Sequence, residues 1–102
     1  MIHVHRIQGD SMLPALAEGD FVITWKLAPK RYKKGDVVVV EHPLYGRVIK
    51  RIHVANADDY IKLTGDNPNS LSDHALGWVS RQSILGKVCL RFAAPGMKKA
   101  RV

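Results

Sequence analysis

Apolar residues along this chain fall into short runs and two-residue alternations cut by Gly, Pro and Asp, and almost no stretch sustains the period of a helix. Phe21-Val22-Ile23-Thr24-Trp25 follows Gly19-Asp20, and Val37-Val38-Val39-Val40 follows Gly35-Asp36, so two turn-then-strand units share one plan. The echo is too short to be a repeat. Residues 47–54 alternate, and residues 60–63 are expected to pair with them as a hairpin across the polar turn at 56–59. A further strand is expected at 87–92. Helical turns are expected only at 12–17, opened by Pro14, and at 80–85, capped by Ser80. The pattern predicts a mainly β fold, a folded-over sheet or partial barrel with one or two short helical turns.

Length adds a limit: 102 residues make one compact domain with one core and leave no room for a second. Residues 1–92 form the expected domain. Residues 93–102 read as a basic C-terminal tail, since they lack apolar periodicity and carry three basic residues. The longest stretches without a formal charge, 11–17 and 74–80, are far shorter than the roughly 20 apolar residues of a membrane-spanning helix. The first residues show no basic leader followed by an apolar core, so a cytoplasmic location is expected. Cys89, the one cysteine, excludes an internal disulfide and a multi-cysteine zinc site, and within Val88-Cys89-Leu90 it is expected to be buried.

Two residue types in this pattern carry chemistry. Gly9-Asp10-Ser11-Met12-Leu13-Pro14 sets a serine at a sharp bend, where a hydroxyl is exposed and nearby N–H groups can receive an oxyanion; a serine capping the turn is the plainer account. Alternation puts Lys50 in the row of Val48, Ile52 and Val54, with Arg47, Ile49, Arg51 and His53 on the other face. An ammonium among Val and Ile is disfavoured, which lowers a lysine pKa and makes a neutral amine available as a base. The plainer account is a stem lying on apolar surface with its head in water. Arg51 cannot be the base, because a guanidinium does not deprotonate.

Five histidines and a basic cluster complete the survey. His3 and His5 sit at i, i+2 on a strand and His42, His53 and His74 are scattered, so no spacing matches a metal motif, and no metal or other cofactor is expected. The net charge is +7, and Lys26, Lys30, Arg31, Lys33 and Lys34 cluster beside Trp25 and Tyr32. Such a mixture suits a nucleic-acid surface, and equally a solvated loop or an anionic membrane surface.

Taken together, these segments resemble the type I signal peptidase family and its Ser-Lys protease relatives. Ser11-Met12-Leu13-Pro14 with Gly19-Asp20, Gly35-Asp36-Val37-Val38-Val39, Ile49-Lys50-Arg51 and Gly65-Asp66-Asn67 match its four boxes in order. The soluble nickel-type superoxide dismutase maturation proteases are the most similar branch, through Asp66-Asn67-Pro68 and Ile84-Leu85-Gly86-Lys87-Val88. The resemblance implies a signal-peptidase/LexA-like catalytic β-fold and a serine endopeptidase without a cofactor. Ser11 would be its nucleophile and Lys50 its general base. The implied partner is a precursor bound as an extended strand, the nickel dismutase precursor, from which an N-terminal extension is cut; stable membrane insertion and nucleic acid are not expected.

In the last box, counting from Gly65 puts Asp73 on the family aspartate, whereas counting back from Gly77 puts Ser70 on the serine that orients the lysine. Ser72 is its substitute. Asp66 and Asp73 are supporting residues, and His74 stands where the family carries arginine. The Ser11 backbone N–H is the natural oxyanion donor; Gly9 stands where some members add a hydroxyl, and Met12 and Leu13 are groove candidates. LexA-type repressors share the Ser-Met-x-Pro and Lys-Arg features, but only ten residues precede Ser11 here, so cleavage in cis is not expected. A non-catalytic basic β-barrel that binds nucleic acid is the competing class.

Overall fold

A computed structural model describes residues 2–9, 11–56, 59–67, 76–93 and 99–101. Eight strands form one antiparallel sheet: β1 (Ile2–Arg6), β2 (Phe21–Trp25), β3 (Val37–His42), β4 (Gly46–Ala55), β5 (Tyr60–Thr64), β6 (Trp78–Ser80), β7 (Ile84–Phe92) and β8 (Lys99–Arg101). Their order is β1-β2-β7-β3-β4-β5-β6, with β8 beside β7. The long β7 joins the halves, pairing with β2 through Phe92 to Lys87 and with β3 through Lys87 to Ile84. The fold is mainly β, as the alternation predicts, and the β4–β5 hairpin pairs Ile52 with Leu63. Among the described residues no helix is long and apolar enough to cross a membrane.

The sheet bends at three places where one strand carries an unmatched residue. Register skips His53 between β4 and β5, Leu85 between β3 and β7, and Cys89 between β2 and β7. A bulge bends its strand and increases its twist, and the sheet stays open. Apolar side chains then gather on both faces. One core holds Tyr32, Val38, Val40, Ile52, Ile61, Leu63, Val79 and Ile84; the other holds Ile7, Met12, Leu16, Val22, Val37 and Val88. The run Val37-Val38-Val39-Val40 is wholly buried because it is covered from both sides.

The shared plan of the two Gly-Asp units extends to their hydrogen bonds. Gly19 N–H donates to the Ile7 carbonyl and Ile7 N–H returns to the Asp20 carbonyl, at 2.9 and 2.8 Å. Gly35 and Asp36 make the same exchange with Ile52, again at 2.9 and 2.8 Å. Each aspartate carboxylate accepts the N–H three residues back, from Ala17 or Lys33, at 2.9 Å. Each also meets a cation of β7, Arg91 at 3.4 Å for Asp20 and Lys87 at 3.3 Å for Asp36.

Four expectations need adjustment. Residues 12–17 form a turn around a cis Leu13–Pro14 bond, not a helix opened by proline. Ser80 does cap, accepting the Gln82 N–H at 3.1 Å, but it caps a single 3-10 turn, Arg81–Ser83. Cys89 is exposed, because the alternation of β7 that buries Ile84, Gly86 and Val88 turns it to the other side. Within the stretch read as a tail, Lys99–Arg101 pairs with Leu90–Phe92, a part of β7 that β3 leaves open.

Gly86 marks the tightest strand crossing: a Cβ there would stand 3.1 Å from both Cβ and Oγ1 of Thr24, which is 1% exposed and has no room to yield. Gly86→Ala is expected to destabilise the fold by about 1–3 kcal/mol, measured by urea unfolding. An unchanged midpoint would contradict this packing.

Candidate active site

Ser11 opens the turn that connects β1 to β2. Its neighbours anchor it: Met12 and Leu16 are 1% and 0% exposed in the second core, and Leu16 N–H donates to the Met12 carbonyl at 2.9 Å. Burial of each such side chain contributes about 1.5–3 kcal/mol, ample to fix a short turn. Arg91 of β7 reaches over and donates to the Ala15 carbonyl at 2.6 Å. From the segment after β5, Asn67 N–H donates to the Ser11 carbonyl at 2.8 Å. Serine and last box are thereby tied by their backbones, while Ser11 itself is only half-buried.

Lys50 arrives from the middle of β4. It shares its face of the strand with Val48 and Ile52, both packed in the first core, and stands opposite the fully buried Val38. Lys50 is half-buried there. Ser11 and Lys50 line one open cleft of about 540 Å³, whose walls also include residues 4–8 of β1 and its exit, Val39 and residues 47–49.

The adjacent Arg51 serves as a clamp. Its guanidinium grips Asp66 in a fork, Nε to Oδ1 at 2.8 Å and Nη2 to Oδ2 at 2.7 Å, and a third bond runs from Nη1 to the Gly35 carbonyl at 2.8 Å. Hydrogen bonding to Asp66 raises the Arg51 pKa. Three boxes of the sequence thus meet at one side chain. Residue parity put Arg51 opposite Lys50 but gave it no partner; the acidic residue in the last box was the available signal.

Other site residues fall differently. Met12 is core, which corrects its assignment to the groove: the turn drives this side chain inward as the anchor of Ser11. Leu13, 37% exposed, and Gly9, whose N–H donates to Glu18 at 3.2 Å, are not among the residues lining the cleft. Ser70, Ser72, Asp73 and His74 lie outside the described residues, as does Asp10. His5 and Arg47 line the cleft although the motifs did not select them. His42 is a satisfied structural histidine: Nδ1 accepts the Leu44 and Tyr45 N–H groups and Nε2 donates to the Leu76 carbonyl at 2.9 Å.

Residues 2–89 of the chain match the family described as Peptidase S24-like. No curated protein matches it.

Removing the clamp's charge should show in stability. Asp66→Asn is expected to cost about 1–2 kcal/mol by urea unfolding, and Arg51→Lys to cost a similar amount because an ammonium cannot fork. Neutral behaviour of both variants would remove the clamp from the account. Burial, then the neighbouring Arg47 and His3, lower the His5 pKa. As pH falls the unfolded chain therefore takes up this proton first, so the contribution of His5 is complete above about pH 6.5 and is lost below it. His5→Asn is expected to flatten the decline of stability between about pH 7 and about pH 5, followed by thermal melts; an unchanged slope would contradict the assignment.

Proposed function

This chain belongs to the Peptidase S24-like family, whose activity is of the serine peptidase kind, and from that premise we propose that Ser11 and Lys50 form its catalytic dyad. The observation carrying this reading is that the two residues, from different elements, line the same cleft. Neutral Lys50 Nζ takes the Ser11 hydroxyl proton as Oγ attacks the scissile carbonyl carbon, and the backbone N–H of Ser11 faces the oxyanion. The C–N bond breaks and the proton passes to the leaving amine. Water, deprotonated by Lys50 Nζ, then attacks the ester, and the proton returns to Oγ as the carboxylic acid departs. The apolar row around Lys50 supports the role, because it disfavours an ammonium that could not act as a base.

The substrate in this reading is a protein precursor held as an extended strand, and the reaction removes an N-terminal extension. Resemblance of Asp66-Asn67-Pro68 and of residues 84–88 to the nickel superoxide dismutase maturation proteases makes that dismutase precursor the substrate to try first. Ser70 or Ser72 is proposed to orient Lys50, with Asp73 as support.

Incubation with the precursor, followed by mass spectrometry of the new N-terminus, tests the reading. Ser11→Ala and Lys50→Ala are each expected to lower the rate by at least about a thousandfold with the fold intact. Activity should rise with pH through one ionisation below the ordinary lysine value of about 10.4. Retained cleavage by either variant would overturn the dyad.

A further inference from the structure

A second concavity, of about 660 Å³, lies around the loop between β2 and β3. Lys30, Arg31, Lys33 and Lys34 line it and are all exposed, Lys87 joins them from β7, and buried Arg81 lies beneath. The loop is built, not slack. Arg81 donates to the carbonyls of Pro29 at 3.0 Å and Tyr32 at 2.7 Å, and to that of Asn56 at 2.7 Å. The Tyr32 hydroxyl accepts the Leu27 N–H at 2.8 Å, and Lys33 N–H is held by Asp36. An internal arginine and a buried tyrosine therefore fix the backbone while four cations face outward together. No carboxylate is among the described lining residues.

We propose that this concavity is a docking site for an acidic peptide segment of the substrate, a proposal that rests on the peptidase reading of the cleft. Charge complementarity names carboxylates or phosphates as ligands, and the aromatic residue decides between them. Tyr32 is 2% exposed and its hydroxyl is engaged, so it presents no ring face on which a base would stack, and Trp25 lies outside the lining. A concave wall also suits an extended chain better than a bilayer surface. Position completes the argument: β4 contributes Lys50 to the cleft and Ala55 to the basic concavity. Five residues of one strand, about 16 Å of chain, link the two concavities. The substrate class is then a precursor that carries an acidic stretch outside its scissile bond.

Fluorescence anisotropy on the intact Ser11→Ala protein tests docking without cleavage. A short Glu-rich peptide is expected to bind roughly tenfold more tightly than its Gln-rich counterpart, the sum of several individually weak exposed ion pairs. The preference should disappear when Lys30, Arg31, Lys33 and Lys34 are all changed to Gln, and also in Lys33→Glu/Lys34→Glu, with both variants checked by thermal melting. It should shrink between about 50 and about 300 mM salt. Equal binding of the two peptides, or a preference that survives both variants, would overturn the proposal. Tighter binding of oligo(dT) than of the Glu-rich peptide would overturn it in favour of nucleic acid. Sedimentation with vesicles containing about one-third phosphatidylserine, without peptide discrimination, would overturn it in favour of a membrane. Because Ser11→Ala is used throughout, loss of the dyad reading leaves this result standing, and failure here leaves the dyad untouched.

Discussion

The reciprocal bonding of the Gly-Asp turns is the constraint from which the site's geometry follows. In each turn the glycine N–H and the aspartate carbonyl are exchanged with one isoleucine on another segment, Ile7 or Ile52, and the carboxylate closes the turn on its own backbone. Buried backbone groups must find partners, and here they find them between segments distant in sequence. Ile7 leads directly to the turn of Ser11, and Ile52 is two residues beyond Lys50 on the same strand. Fixing these two isoleucines fixes the approach of Ser11 and Lys50 to the same cleft. Gly35, at φ 94°, occupies a backbone region that side chains with a Cβ rarely enter, which is why the turn needs glycine there.

β4 carries opposite duties on its two faces. Even-numbered Val48, Lys50 and Ile52 share one face, on which Val48 and Ile52 pack into the first core; odd-numbered Arg51 pairs with Asp66 and the Gly35 carbonyl. Neither role would survive a one-residue slip, because slipping would exchange the faces. The bulge at His53 comes after both residues, so it bends the strand without disturbing their alternation.

Much of this was legible because alternation and turn residues act locally. The β4–β5 hairpin, the Ser80 cap and the placement of Lys50 on the face of Val48 and Ile52 all follow from near neighbours in sequence. Misread features depend on something longer in range. Pro14 suits the first turn of a helix and equally a cis turn, and the packing of Met12 and Leu16 decides between them. Cys89 sits in an apolar run, but packing across the sheet sets which side of β7 is buried, and Val88 faces that side while Cys89 does not. Arg51 has the right parity for a clamp, yet its partner Asp66 is fifteen positions away and visible only once β5 has turned back.

Charge shows the same division between count and placement. The aspartates of Gly19-Asp20, Gly35-Asp36 and Gly65-Asp66 each face a cation, respectively Arg91, Lys87 and Arg51. Acidic residues are thereby gathered at the turns that assemble the site, and none occurs between positions 26 and 34. The surplus of +7 is consequently not spread evenly: five cations stand between positions 26 and 34 with no acid among them. Arg81 keeps that loop in shape by bonding its carbonyls, which leaves the side chains of Lys30, Arg31, Lys33 and Lys34 exposed. The turns that bring Ser11 and Lys50 together and the patch that is free to meet an anion are thus two consequences of one distribution of aspartates.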